Sequence, residues 1–352
     1  MMRRLPLAVL CLLPALSLAA AKDFAGKWDL TFTQGALTME GLLEIRETGD
    51  GLKGYVEGGP VRLRIDADSI EMGIDDRTAA GMPFERYLRG TLAKGSMSGR
   101  FGPENEVGDK IRSLCRKLPL ACPAPTGSWR AAPHADVTSA GQSPQPLDLS
   151  GTWVVAVPGI RRWSADLTES AKAWKAGFDV KMDLPDLRCA SMGLVNGWGF
   201  RGNEPEIYQT DTKVTIVLGS EVRRIYLDDR RPPEYADWYP LGFSSGHWEG
   251  STLVVETTNL QPALREWSGE PISENARVVE RYSIDEQGRL VGVLTLNDPQ
   301  YYREAPLKRA RWRRADDKAI RFPSLCDPDS FYRQLYDEGK FDEYIRRAGR
   351  RF

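Results

Sequence analysis

Along the first hundred residues, apolar and polar positions alternate with a period of two. Trp28, Leu30 and Phe32 fall on one face of an extended chain, as do Val61, Leu63 and Ile65, and then Ile70, Met72 and Ile74. Successive side chains of a strand point to opposite faces, so this pattern predicts half-buried strands. Glycines at 49, 51, 58, 59, 90, 95 and 99 punctuate the runs. Short alternating strands with turn signals every roughly eight to twelve residues point to an antiparallel barrel or sandwich.

The alternation returns after residue 149 with longer runs. Candidate strands cover 151–157, 206–209, 214–218, 223–227, 252–259, 277–284, 290–296 and 310–314. Asp285-Glu286-Gln287-Gly288 reads as a hairpin loop with glycine at its end. Two helices interrupt the strands. Thr168 caps one over 169–176, with Gly177 as its stop. Asp327-Pro328 opens another that runs to about Tyr336. In it Phe331 and Leu335 sit four apart on one face, which predicts docking on a barrel rather than catalysis.

Between the two patterned regions lie six prolines, at 119, 123, 125, 133, 144 and 146, among Ala, Ser, Gly and Thr. Such composition buries too little apolar area to offset ordering entropy, and it predicts an extended linker over 116–148. The expected domains are therefore 22–115 and 149–352. Both open alike, with Phe24-Ala25-Gly26-Lys27-Trp28 in the first and Leu149-Ser150-Gly151-Thr152-Trp153 in the second.

The N-terminus changes the compartment. Arg3 and Arg4 precede an apolar run from Leu5 to Leu18 that ends in Ala19-Ala20-Ala21, which predicts a secretory signal peptide over 1–21. Cys11 lies inside the apolar run and no cysteine stands at the cleavage point, so a lipid anchor is not expected. Removing the peptide leaves 46 basic against 49 acidic residues, a formal charge of −3. That is no electrostatic footprint for nucleic acid or an anionic membrane. No later segment approaches the roughly 20 apolar residues of a membrane helix. A periplasmic or secreted location follows.

Four cysteines remain: Cys115, Cys122, Cys189 and Cys326. An even count in an exported chain favours disulfides over metal or catalysis. The expected pairs are Cys115–Cys122, closing a small loop, and Cys189–Cys326, stapling the second region; three pairings are open on sequence alone.

The chemistry is sparse. His134 falls in the linker, leaving His247 as the histidine of folded sequence. No metal, nucleotide or other cofactor motif is present. Gly242-Phe243-Ser244-Ser245-Gly246 matches G-x-S-x-G, but a nucleophile elbow needs a strand before it and a helix after it. Here a β-branched strand follows, so the run reads as a Gly/Ser-rich loop. His247, with Glu249 two residues on and Asp228 after a strand, forms the candidate acid/base group at a barrel mouth, because imidazole titrates near neutral pH. The structural alternative is a turn whose Trp248 fills a gap. Glu256 lies in an apolar strand and either faces solvent or is buried against an arginine such as Arg281. Trp198, Trp238 and Trp267, in glycine- or proline-flanked loops, are the candidates for a pocket rim, with Trp248 as a further ligand-binding candidate. With Glu256, Arg281 and Tyr302 they make the expected ligand-binding set; Glu274, Asp298 and Tyr301 are further polar candidates near strand ends.

The x-G-x-W openings resemble the lipocalin and calycin pattern, in which the Trp plugs one end of a small antiparallel barrel. Residues 149–326 resemble a large, uncharacterised family of exported bacterial proteins. The resemblance rests on Leu149-Ser150-Gly151-Thr152-Trp153, Arg223-Arg224-Ile225-Tyr226-Leu227-Asp228, Gly246-His247-Trp248-Glu249-Gly250, Thr252-Leu253-Val254-Val255-Glu256-Thr257-Thr258, Ser273-Glu274, Glu280-Arg281-Tyr282 and Asp298-Pro299 with Tyr301. Ser251 stands where that pattern usually has Asp, and the family brings no settled activity. The fold expected is mainly β: two antiparallel, lipocalin-like barrels with a few peripheral helices. The function expected is binding of a small hydrophobic or amphipathic molecule. The alternatives are metal-free proton-transfer chemistry at a barrel mouth and a structural or adaptor role in the cell envelope.

Overall fold

A computed structural model describes residues 23–77, 83–103, 126–134, 146–157, 165–199, 204–219, 221–232, 234, 237–316 and 326–351. The chain is mainly β and forms two closed barrels. In the first, β1 (Gly26–Gln34), β2 (Leu37–Thr48), β3 (Gly51–Val56), β4 (Gly59–Asp66), β5 (Ser69–Arg77), β6 (Pro83–Ala93), β7 (Ser96–Pro103) and β8 (Gly127–Pro133) pair in chain order. β8 returns antiparallel to β1, with Phe32 opposite Trp129. The alternation does what it predicted. Trp28, Leu30 and Phe32 are buried inside with Leu43, Ile45, Ile70, Met72 and Ile74, while Val61, Leu63 and Ile65 pack against that core partly exposed.

One boundary differs from expectation. Strand β8 lies inside the proline-rich stretch 116–148, so the first barrel runs to Pro133 rather than ending near 115. Trp129 and Ala131 point inward on it, and Pro133 sits at its end, where a missing N–H does no harm. Averaging composition over a wide window hid a seven-residue strand.

The second barrel uses β9 (Gly151–Val157), β10 (Glu206–Thr210), β11 (Lys213–Leu218), β12 (Glu221–Tyr226), β13 (Phe243–Glu249) and β14 (Thr252–Thr258). After a separate hairpin of β15 (Ala263–Glu266) and β16 (Glu270–Ile272), it is completed by β17 (Arg277–Ile284), β18 (Leu290–Asn297) and β19 (Leu307–Arg314). β19 pairs with β9 and β9 with β10, which closes nine strands. A ring with an odd number of strands cannot alternate direction all the way round. Accordingly β12 and β13 run parallel, Ile225 beside Ser244 and Tyr226 beside Ser245, and the wholly antiparallel expectation is corrected for this barrel. A parallel neighbour needs a long crossover, and residues 227–242 supply it.

Both openings build the same local device. Trp28 Nε1 donates to the Phe24 carbonyl, and Trp153 Nε1 to the Leu149 carbonyl, each at 2.9 Å. Gly26 and Gly151 adopt φ of 127° and 123°, a conformation that glycine reaches without a Cβ penalty.

Among the described residues, the second region carries four α-helices, α1 (Glu169–Ala176), α2 (Gly193–Gly197), α3 (Pro328–Asp337) and α4 (Phe341–Arg351). Thr168 caps α1 as predicted, accepting from Ala171 N. Phe331 and Leu335 of α3 are buried with Tyr344 of α4 and against Leu187, so α3 docks on its neighbours rather than on a barrel wall. The Cys189–Cys326 disulfide is formed. Cys115, Cys122 and residues 1–21 lie outside the described residues. No helix among the described residues is long and apolar enough to cross a membrane.

Candidate functional site

The stretch read as a loop around Gly246 is strand β13, and this decides where its side chains go. Ser244, Gly246 and Trp248 take the inward row, and Ser245, His247 and Glu249 take the outward one. The His247 side chain is 64% exposed, with Nε2 3.4 Å from Glu249 Oε1. Glu249 accepts from Arg281 at 2.5 Å. The Arg281 hydrogen bond, more than His247, holds its carboxyl below the usual range. Asp228 pairs with Arg230 at 2.8 Å in the loop after β12. His247 and Glu249 therefore stand on the outer wall, and the expected acid/base group at a barrel mouth is not assembled. The signal missed was a period-two row of small residues. A Cβ at Gly246 would lie 2.9 Å from Ile225 Cγ2, so the row is small because its neighbours fill the space.

The expected ligand-binding set divides. Glu256 faces solvent and pairs with Arg277, not Arg281. Trp238 and Trp267 are more than half exposed, and Trp267 Nε1 donates to Asn196 Oδ1 at 3.0 Å. Trp248 packs partly buried against the core. Tyr302 is buried and donates to the Pro271 carbonyl at 2.7 Å; burial, above all, pushes its hydroxyl pKa well up. Trp198 belongs with a different group of residues.

Inside the second barrel lies a charged cluster that the sequence reading did not name. Arg223 of β12 and Glu280 of β17 are 3% and 0% exposed. The guanidinium makes a two-pronged contact, Nη1 to Oε1 at 2.9 Å and Nη2 to Oε2. Arg223 also donates from Nε to Ser244 Oγ at 3.0 Å and from Nη2 to Thr257 Oγ1 at 2.8 Å. Glu280 Oε1 accepts further from Tyr282 Oη at 2.7 Å and Trp198 Nε1 at 2.9 Å. Burial opposes the charge on Arg223, yet the facing Glu280 outweighs it and its pKa ends above the ordinary value. Burial, reinforced by Glu280, pushes the Tyr282 hydroxyl well up.

The elements around the cluster hold one more group in place. Trp198 follows α2 directly and packs edge-on to Trp312, ring centroids 5.4 Å apart. Lys308 Nζ donates to the Val195 carbonyl of α2 at 2.8 Å and pairs with Glu266 at 3.0 Å. Gly292 leaves room for both indoles, since a Cβ there would lie 2.7 Å from Trp312 and 2.9 Å from Trp198. Trp198 thus occupies the interior with its N–H aimed at a carboxylate. The signal for this cluster was available. Arg223 shares an inward row with Ile225, and Glu280 with Val278 and Tyr282; a charge on the apolar row of a strand marks a buried polar group.

Chemically, the arrangement presents a neutralised ion pair, a phenol and an indole N–H to a water-poor interior. These groups spend their hydrogen bonds on one another, and Trp198 with Trp312 fills the space beside them. Among the described residues, no group of three His, Cys, Asp or Glu side chains could hold a metal ion.

No protein-family model and no curated protein matches the sequence. Among solved structures, one similar to this chain is a protein of unknown function from the DUF3598 family of Nostoc punctiforme. It is 8% identical with a TM-score of 0.22, and the match covers 84% of this chain and 98% of that one.

Proposed function

We propose that this protein is an exported, lipocalin-like carrier that takes a small hydrophobic or amphipathic molecule into its second barrel. The observation that supports this reading is the Arg223–Glu280 pair, buried with its hydrogen-bond partners inside the second barrel. Desolvating two charges costs several kcal/mol per ion and is often not recovered by their attraction, so such a pair is a weak way to stabilise a barrel. Titratable groups perturbed by burial and a specific partner cluster at functional sites. A barrel of about eight strands either fills with its own side chains or holds one small ligand. Because Trp198 fills the interior in the structure, entry requires α2 to swing aside, turning at Gly193 and Gly197 at its two ends and at Gly199 just beyond. Export rests on the leader-like residues 1–21 and on the disulfide, which persists in oxidising compartments.

The test is retention. Purified full-length protein is incubated with a metabolite extract, desalted and examined by native mass spectrometry, alongside Trp198→Ala. A discrete added mass, stronger or faster in the variant, is expected. Nothing retained by either protein overturns the carrier reading.

A further inference from the structure

Where the barrels meet, a turn of the first is pressed into the second. Glu57 and Gly58 join β3 to β4 with φ of 51° and 79°. A Cβ on Gly58 would lie 2.4 Å from the Ala305 carbonyl oxygen, so the close approach requires glycine. The Glu57 carbonyl accepts from Leu307 N, the first residue of β19, at 3.0 Å, and its N–H donates to the Leu42 carbonyl at 3.0 Å. The carboxyl is buried with it. Oε1 accepts from Leu42 N at 2.6 Å, and Oε2 is buried with no hydrogen-bond partner.

The charged groups around the joint form ion pairs with other residues, while Arg309 Nε and Arg311 Nε, like Glu57 Oε2, are buried without a hydrogen-bond partner. Arg309 of β19 pairs with Asp29 of β1 at 3.0 Å, and Asp29 also meets His134 Nδ1 at 2.8 Å. Arg265 of β15 pairs with Glu270, and Lys308 with Glu266. At the edges Arg46 bridges to Glu304, and Arg311 to Glu40. Glu57 has charges near it but no cation bonded to it.

We infer that the Glu57–Gly58 turn is a proton-operated latch between the two barrels. Protonated, the side chain leaves a neutral hydroxyl in the joint; ionised, it leaves a charge with one unpartnered oxygen, and the docked turn loosens. Burial raises its pKa from the ordinary 4.5 to about 7, against the pull of Arg309, the Leu42 N–H and Arg265. The docked value lies above the undocked one, so the stabilisation is complete below the ordinary carboxylate range and is lost as pH rises through about 7. This inference does not depend on any ligand.

The full-length protein serves for the test. The Glu57 carboxyl is titrated by carbon NMR, and amide exchange is followed at Leu42 and Leu307 between roughly pH 5.5 and 8.5, with the intrinsic base-catalysed rate divided out. The expected result is a Glu57 midpoint near neutrality and a protection loss of about tenfold or more across it. Glu57→Gln should hold protection flat, while His134→Asn, which leaves Glu57 in place, should keep the wild-type response. A midpoint in the ordinary carboxylate range, or protection in Glu57→Gln that falls as in wild type, overturns the latch. If Glu57→Gln does not fold, the titration decides alone.

Discussion

The two barrels begin with the same indole-to-carbonyl device and both close on themselves, yet their interiors are built on different principles. The described inward rows of the first carry apolar side chains, with Gln34 at the end of β1. The second places Arg223, Glu280 and Lys308 among its aliphatic and aromatic walls. The first barrel shows that this scaffold closes by packing alone. The second, with nine strands and one parallel pair, closes around charges that the first does without.

The largest expected effect breaks that contrast directly. Arg223→Met leaves Glu280 buried without its partner, and one-sided removal of a buried pair costs about 3–5 kcal/mol. Chemical denaturation should show the loss in the second barrel, with strands of the first keeping their amide protection. The double change Arg223→Met with Glu280→Leu sharpens the point. If the pair serves binding rather than stability, the double variant should recover most of the loss, since hydrophobic replacement of such pairs is often neutral or stabilising. A double variant as unstable as the single one would mean that the charges are structural after all.

In the first barrel the corresponding weak point is volume. Leu43 is fully buried inside it, and Leu43→Ala should cost about 2–5 kcal/mol through lost transfer energy and the cavity left behind. Here the first barrel should lose amide protection while the Arg223–Glu280 region keeps it. Loss in both barrels together would show one cooperative unit, with the joint at Glu57 stronger than either interior.

What the sequence made legible follows from the same contrast. Strands with clean alternation, such as Arg277–Ile284, were placed to the residue, because one apolar face against one polar face fixes both type and register. β8 was hidden by prolines at its margins. β13 was hidden because Ser244 and Gly246 stand on its inward row, where space is taken by Arg223, Ile225 and Leu227 rather than by its own side chains. Reading β13 as a loop is also what misdirected the site: His247 and Glu249 drew attention as polar residues near glycines. The true interior cluster required pairing residues 57 apart in sequence, which the register across β12, β13, β14 and β17 supplies and local spacing does not. Trp198 was singled out for its glycine neighbours and does reach the interior, as a buried occupant rather than a rim.

A smaller effect tests how far the two openings are equivalent. Trp28→Phe and Trp153→Phe each remove one buried N–H donor to a carbonyl at the same distance. Each should cost about 1–3 kcal/mol, since the carbonyl is left without that donor, and the two values should agree closely, as read from separate denaturation transitions. A marked inequality would show that the shared motif carries different loads in the two barrels, with Arg314 over the Trp153 ring at 4.6 Å as the first suspect.

The smallest effect concerns the residue that the sequence made most prominent. His247 stands on the outer wall, beside Glu249 and near neither the ion pair nor Trp198 in the hydrogen-bond network. Exposed substitutions away from buried features usually change stability by less than about 0.5 kcal/mol. His247→Ala should therefore leave the denaturation midpoint and any ligand retention as in wild type, whereas Arg223→Met or Trp198→Ala should alter retention. Should His247→Ala abolish retention while the protein stays folded, the binding chemistry would belong to the outer face of β13 and β14. The polarity inside the second barrel would then be left without a purpose.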